Sequence, residues 1–226
     1  MQIQEKLSRG ENYAAEPKRM ARDIRYLVIH FTGNDGDTAE ANAAYFAREA
    51  AGVSAHYFVD ASEVWRSVPE ACTAWHCGTR GAYFHPECRN RCSIGIELCS
   101  RKNSAGRYIF ASETVERAAA LAQLLMERYG IPAERVLRHY DVTHKNCPEP
   151  FVRDAAAWQA FKNRLKEDEE MTIYKTWAEV PDWAKDTVAK LTRKGLLQGE
   201  EGYLNLEHNM LRGLVINDRA GLYDGQ

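Results

Sequence analysis

Residues 24–32 read IRYLVIHFT, a run of β-branched and aromatic side chains that stops at Gly33-Asn34-Asp35-Gly36. An apolar run bounded by a turn cluster predicts a buried strand that feeds a loop. Asp37 or Thr38 can cap a following alanine-rich helix that carries Tyr45 and Phe46 to about Ala51, where Gly52 stops it. Residues 56–59 and 64–68 flank the polar Asp60-Ala61-Ser62-Glu63 and predict a hairpin, and 93–99 predict another short strand. Ser112 opens a strong helix with Val115, Ala118, Ala119, Ala122, Leu125 and Tyr129 on one face, terminated by Gly130 and Pro132. Residues 136–140 predict a short strand leading into a loop with Cys147-Pro148, and a helix over about 151–166 carries Trp158, Phe161 and Leu165. Strands alternating with helices predict an α/β fold, a mixed central β-sheet flanked by helices.

The acidic run Glu167-Asp168-Glu169-Glu170 breaks the apolar pattern, as a linker or a frayed helix end, and sets the expected boundary between a domain over 1–168 and a small helical module over 169–226. The module shows two helical patterns, 181–194 stopped by Gly195 and about 206–220. At roughly 55 residues it is near the lower limit for folding alone, so it is expected to pack on the main domain or to self-associate, with a homodimer as one outcome.

Composition narrows the function classes. With 226 residues, 45% hydrophobic and 27% charged, the chain is an ordinary globular sequence. Thirty basic against 32 acidic residues give a net charge of −2, which supplies no global field for nucleic acid or an anionic membrane. The longest apolar stretch, around 118–126, is far short of the ~20 residues of a membrane span. The first 25 residues are charged throughout and lack the apolar core of a secretory signal, giving the expectation of a protein made and initially held in the cytoplasm. The six cysteines are too scattered for a disulfide framework, and neither Cys72-x4-Cys77 nor Cys88-x3-Cys92 is the C-x2-C pair of a zinc ribbon.

Candidate chemistry gathers on three residues. His30 ends the first strand, and His139 and Cys147 lie eight residues apart around a loop. Two imidazoles and a thiolate fill three corners of a zinc tetrahedron, and a catalytic site keeps the fourth for water. Taken singly, each is better read as a hydrogen-bonded core histidine or a small buried thiol. The surroundings change that balance, because Lys145 sits two residues before Cys147 and Glu97 is embedded in an apolar strand. A buried glutamate beside a cation can be poised to take a proton from water activated at a metal, and an ammonium suits a developing oxyanion. A plain Glu97–Lys145 salt bridge is the alternative.

The strings Val28-Ile29-His30-Phe31-Thr32, Ser54-Ala55-His56-Tyr57-Phe58-Val59-Asp60, Ala74-Trp75-His76-Cys77-Gly78, Ser93-Ile94-Gly95-Ile96-Glu97 and those from His139 to Pro148 closely resemble the zinc N-acetylmuramoyl-L-alanine amidases of the amidase-2 type. That family includes phage endolysins and is related to the peptidoglycan recognition proteins. The resemblance spans about residues 20–165. It implies His30, His139 and Cys147 as ligands of Zn2+, Glu97 as catalytic acid/base and Lys145 as oxyanion stabiliser. It implies hydrolysis of the amide joining N-acetylmuramic acid to L-alanine in bacterial peptidoglycan, of the endolysin type. A non-catalytic peptidoglycan-binding protein and a cytosolic amidase recycling wall fragments are the alternatives.

Tyr57 is a secondary candidate beside the catalytic water, since some relatives place a tyrosine there, and His56 and His76 are candidate substrate contacts. His144, five residues after His139, has no counterpart in the family pattern, and Glu149 stands where glycine usually follows the Cys-Pro pair. Trp65, Trp75, Tyr83, Phe84 and Tyr108 fall where such folds build grooves, with packing the main expected role. The segment from Val180 to Gly199, continued by Tyr203-Leu204-Asn205-Leu206 and the following helix, resembles a single S-layer-homology module. That likeness implies attachment to a secondary wall polymer, with self-association or docking as alternatives.

Overall fold

The computed structural model describes residues 1–171, 173–199 and 203–224, with 167–171 as backbone only. Two compact units divide the chain, Met1–Leu165 and Lys166–Gln226.

In the first unit, side-chain alternation along β3 (Tyr26–Phe31) sorts Leu27 and Ile29 to one face and Tyr26, Val28 and His30 to the other. The charged leader is ordered, contributing β1 (Gln4–Glu5) and β2 (Tyr13–Ala14) before β3. After α1 (Ala39–Arg48) come β4 (Tyr57–Val59), β5 (Val64–Arg66), β6 (Thr73–Ala74) and β7 (Ser93–Leu98). The pair β8 (Arg101–Lys102) and β9 (Tyr108–Ile109) leads to α2 (Ser112–Tyr129), β10 (Val136–Arg138), α3 (His139–Thr143), α4 (Glu149–Arg153) and α5 (Ala155–Met171).

Six strands form one sheet in the order β1-β5-β4-β7-β3-β10. β4, β7, β3 and β10 run parallel, and β5 turns back antiparallel on β4 as the expected hairpin. Such a sheet needs cover on both faces. Ala118, Leu121, Ala122 and Leu125 of α2 with Phe161 and Leu165 of α5 close one face over Leu27, Ile29, Ile94 and Ile96. On the other face α1 packs Ala39 and Ala43 near Phe58, and the 75–92 loop packs Cys77 and Cys88 near Tyr26 and Val28. Between these two covers the face stays open at the carboxyl ends of β3 and β7.

Local rules account for most element ends. Thr38 accepts a hydrogen bond from the Ala41 N–H at 3.1 Å and caps α1, a contact worth about 1 kcal/mol. That helix stops at Arg48, short of the expected Ala51, because Glu49 is already extended. Gly130, at φ 64, ends α2. The strand expected over 136–140 stops at Arg138, and His139 begins a helical turn instead. The single helix expected over 151–166 is two, parted at Asp154, whose extended backbone lets its side chain accept the Ala157 N–H at 3.0 Å. The acidic run lies within α5, so its backbone is helical there.

The second unit has its own core of Val180, Ala184, Val188, Leu191, Leu206, Leu211 and Val215. β11 (Ile173–Tyr174) pairs antiparallel with β12 (Leu206–Glu207) on either side of α6 (Asp182–Arg193), and α7 (His208–Arg219) follows. Asp218 ties the helices together by accepting from Thr187 at 2.7 Å and Lys190 at 2.6 Å. No helix among the described residues is long and apolar enough to cross a membrane.

Candidate active site

Register carries the candidate residues to one place. His30 is level with Glu97 on β7, and Glu97 is level with Phe58 on β4, so these side chains share the open face. Arg138 is level with Ile29, which puts His139, the next residue, beside His30. His144 closes α3 in the left-handed region at φ 58, and the loop then returns so that the Tyr140 N–H donates to the Cys147 carbonyl at 2.8 Å. The carboxyl ends of parallel strands are where open α/β sheets present their sites.

His30, His139 and Cys147 are all buried, and their ligand atoms lie within 4.8 Å of one another. Cys147 Sγ is 3.6 Å from His30 Nδ1, and the two imidazole centroids are 4.7 Å apart. Both ring nitrogens of His139 are buried without a hydrogen-bond partner. Buried polar atoms are rarely left in that state. Burial, then the charge of Lys145, pushes the His139 pKa down to about 4, and burial drives His30 far below the ordinary histidine range. Neutral imidazoles with free lone pairs are what a cation requires. Burial and the neighbouring Glu97 push the Cys147 thiol up to about 12, so it is the one donor that a cation would have to ionise. The set fits a divalent metal ion, and the mixture of nitrogen and sulfur suits zinc. His144 is apart from this cluster, stacked on Phe84 with centroids 3.5 Å apart.

Glu97 faces the trio, with Oε1 4.0 Å from His30 Nδ1 and Oε2 buried without a hydrogen-bond partner. Burial pushes its carboxyl up to about 8, opposed by Lys145. No ion pair within 4.0 Å joins Glu97 to Lys145, so the plain salt bridge is not formed; the exposed Lys145 instead lines the same cleft. That cleft, about 1000 Å³, runs from the trio past Asn42 and Phe46 on the α1 side and Thr79 and Arg80 on the other.

The remaining expected residues divide. His76 lines the cleft, but both its ring nitrogens are engaged, Nδ1 3.1 Å from His30 Nε2 and Nε2 3.2 Å from Ser93 Oγ. His56 does not line the cleft: it is wholly buried, accepts from the Gly95 N–H at 3.0 Å and lies 2.8 Å from Arg19 Nη2. Tyr57 is likewise turned away. One residue from Phe58, it falls on the opposite face of the strand, and its hydroxyl donates to Glu70 beneath the sheet. Among the aromatics, Trp75 lines the cleft, Tyr83 lies under the Arg89 guanidinium, and Tyr108 packs edge-on against Phe31.

Arg19 was not legible as part of this apparatus. It is buried, and its guanidinium donates to the carbonyls of Glu70, Asn90 and Ser93, clamping the loops behind the histidines. Nothing in the charged leader's sequence marks one of its basic residues as internal.

A mixed sheet that carries a two-histidine, one-cysteine cluster beside a half-buried glutamate at its strand ends presents the donor set of a metal site. Residues 20–150 match the family model for N-acetylmuramoyl-L-alanine amidase (Amidase_2), and the chain belongs to that family. It is 33% identical over 167 residues to the N-acetylmuramoyl-L-alanine amidase BlyA of Bacillus subtilis (strain 168), covering 69% of this chain and 44% of BlyA. It is 30% identical over 194 residues to CwlA of the same strain, covering 83% of this chain and 66% of CwlA. Among solved structures, PlyL superimposes with a TM-score of 0.60 at 28% identity, covering 73% of this chain and 97% of PlyL. The catalytic domain of XlyA gives 0.59 at 26% identity, covering 73% and 99%. The chain thus spans less than half the length of the first curated relatives it matches.

Proposed function

We propose that this chain hydrolyses the amide between the lactyl group of N-acetylmuramic acid and L-alanine in bacterial peptidoglycan, using zinc held by His30, His139 and Cys147. The observation that carries the reading is the buried trio, with His139 unpartnered on both nitrogens, set beside Glu97 at the foot of an open cleft. A bound zinc ion would supply Lewis acidity, polarising the scissile carbonyl and acidifying water.

The chain's own groups do the rest. Glu97 is the proton carrier: its carboxylate takes a proton from the attacking water and passes it to the departing alanine nitrogen. A carboxyl raised to about 8, by burial that outweighs the opposing charge of Lys145, has the proton affinity to take up and return a proton around neutral pH. Lys145 lines the cleft, which supports a role for its ammonium in stabilising the charge that gathers on the carbonyl oxygen. For the second unit we propose wall attachment, supported by its separate core and by the exposed Trp177, Ile216 and Leu222, with co-sedimentation on purified walls as the test.

The decisive experiment is digestion of purified walls with and without chelator, followed by mass spectrometry of the new ends. Free lactyl carboxyls paired with L-alanine amino termini, abolished by chelation, are expected; intact walls, or ends from another bond, would overturn the reading. Glu97→Ala is expected to keep its zinc and lose ~10²–10⁴-fold in rate. Cys147→Ser is expected to lose the metal itself, measured by elemental analysis.

A further inference from the structure

Behind the trio runs a line of hydrogen bonds whose direction can be worked out from its far end. Ser93 Oγ lies 2.7 Å from the Arg89 carbonyl, which can only accept, so Ser93 donates there and its oxygen is left to accept. His76 Nε2, 3.2 Å from that oxygen, must then carry the ring proton. The thiol of Cys77, at 3.9 Å, is a distant second neighbour of Ser93. A neutral imidazole has one N–H, and no carboxylate is hydrogen-bonded to His76 to favour a second proton. Its Nδ1 is therefore bare and accepts. The partner of that atom, 3.1 Å away, is His30 Nε2, which must donate. His30 is left with its lone pair on Nδ1, the nitrogen that faces Cys147 and Glu97.

The surrounding backbone is shaped to keep this line in place. Asn90 Oδ1 accepts the N–H groups of His76 at 3.1 Å and Cys77 at 2.8 Å, fixing the loop that carries the ring. Ser93, Gly95 and Glu97 alternate along the same face of β7. A Cβ at Gly95 would come within 2.5 Å of His76 Cγ, so the strand has room for the imidazole only because that position is glycine.

We propose that His76, anchored by Ser93, is a positioning residue that locks His30 in the Nε2–H tautomer and so presents Nδ1 to the metal. The proposal rests on the reading of His30 as a ligand. Outer partners of this kind are worth 10–100-fold in metal affinity.

Two measurements test it on the full chain. Long-range proton–nitrogen NMR of the metal-free protein should report His30 as the Nε2–H tautomer; an Nδ1–H tautomer would overturn the proposal. Zinc competition against a chromogenic chelator should show His76→Leu weakened about 10–100-fold, while His76→Asn, whose Oδ1 can stand in for Nδ1, keeps most of the affinity. Unchanged affinity in His76→Leu, or equal loss in both variants, would sink the hydrogen-bonding role. If His76→Leu does not fold, Ser93→Ala carries the same readouts, with a mixed His30 tautomer and weaker zinc binding expected and wild-type behaviour overturning. A wild-type protein with the expected tautomer and zinc binding but no cleavage of the wall amide would remove the peptidoglycan reading alone and leave the relay standing.

Discussion

Glu70 gathers three donors at the margin of the core: the hydroxyls of Tyr57 and Tyr129, and the Arg128 guanidinium at 2.8 Å. Burial works to raise the Glu70 pKa, but these hydrogen bonds outweigh it and the net shift is downward. Stability from a lowered carboxyl is fully present above the unfolded-state value and is lost as pH falls through the folded one. Arg128 keeps 44% of its side chain exposed, so screening weakens the ion pair, and the tyrosine hydrogen bonds carry most of the effect. Glu70→Gln is expected to cost about 1–3 kcal/mol near neutral pH and to flatten the acid limb of the stability curve, checked by urea denaturation between pH 3 and 7. An unchanged acid limb would remove Glu70 as a source of acid sensitivity. The site was legible at this scale where a polar residue broke an apolar strand, as His30 and Glu97 do. It was misread at Tyr57, because a single step along a strand exchanges faces, and a motif in one dimension does not say which face is open.

Among the elements, β7 is the most constrained. One face is plain core, with Ile94, Ile96 and Leu98 packed beneath the helices, while the other spends each position on the site. Gly95→Ala is expected to push the His76 ring aside, lowering stability by about 1–3 kcal/mol in denaturant titration and weakening zinc retention in the same sample. Loss of stability without loss of zinc would separate packing from positioning. Long apolar runs and glycine stops made β3, β7 and α2 readable, since burial and the left-handed turn at Gly130 leave direct marks in composition. The break at Asp154 and the turn of helix at His139 were not readable: both depend on backbone hydrogen bonds within a few residues, which helical periodicity overruns. The β11–β12 pair was invisible for a related reason, as two-residue strands carry no period.

Across the whole molecule, the metal-type cluster and the second hydrophobic core belong to different units. A ligand that binds only the folded form stabilises in proportion to the logarithm of its excess, about 4 kcal/mol at a thousandfold over Kd. Calorimetry is therefore expected to show two transitions, of which chelation lowers the one from the first unit and leaves the other in place. A common shift of both would show that the units melt together. The α/β class was accessible from the alternating elements. The cleft was not, because it arises where α1 and the 75–92 loop fail to meet over the sheet, a property of three-dimensional cover.

His30 and Cys147 stand 117 positions apart in the chain, yet Sγ and Nδ1 come within 3.6 Å. During synthesis the first imidazole emerges long before its two companions, and a single imidazole holds a metal ion poorly. The cluster is completed by β10, the last strand of the main sheet, and the loop that follows it. A ribosome-bound fragment that ends before Cys147 therefore cannot assemble the three-donor cluster, however well its first strands have formed.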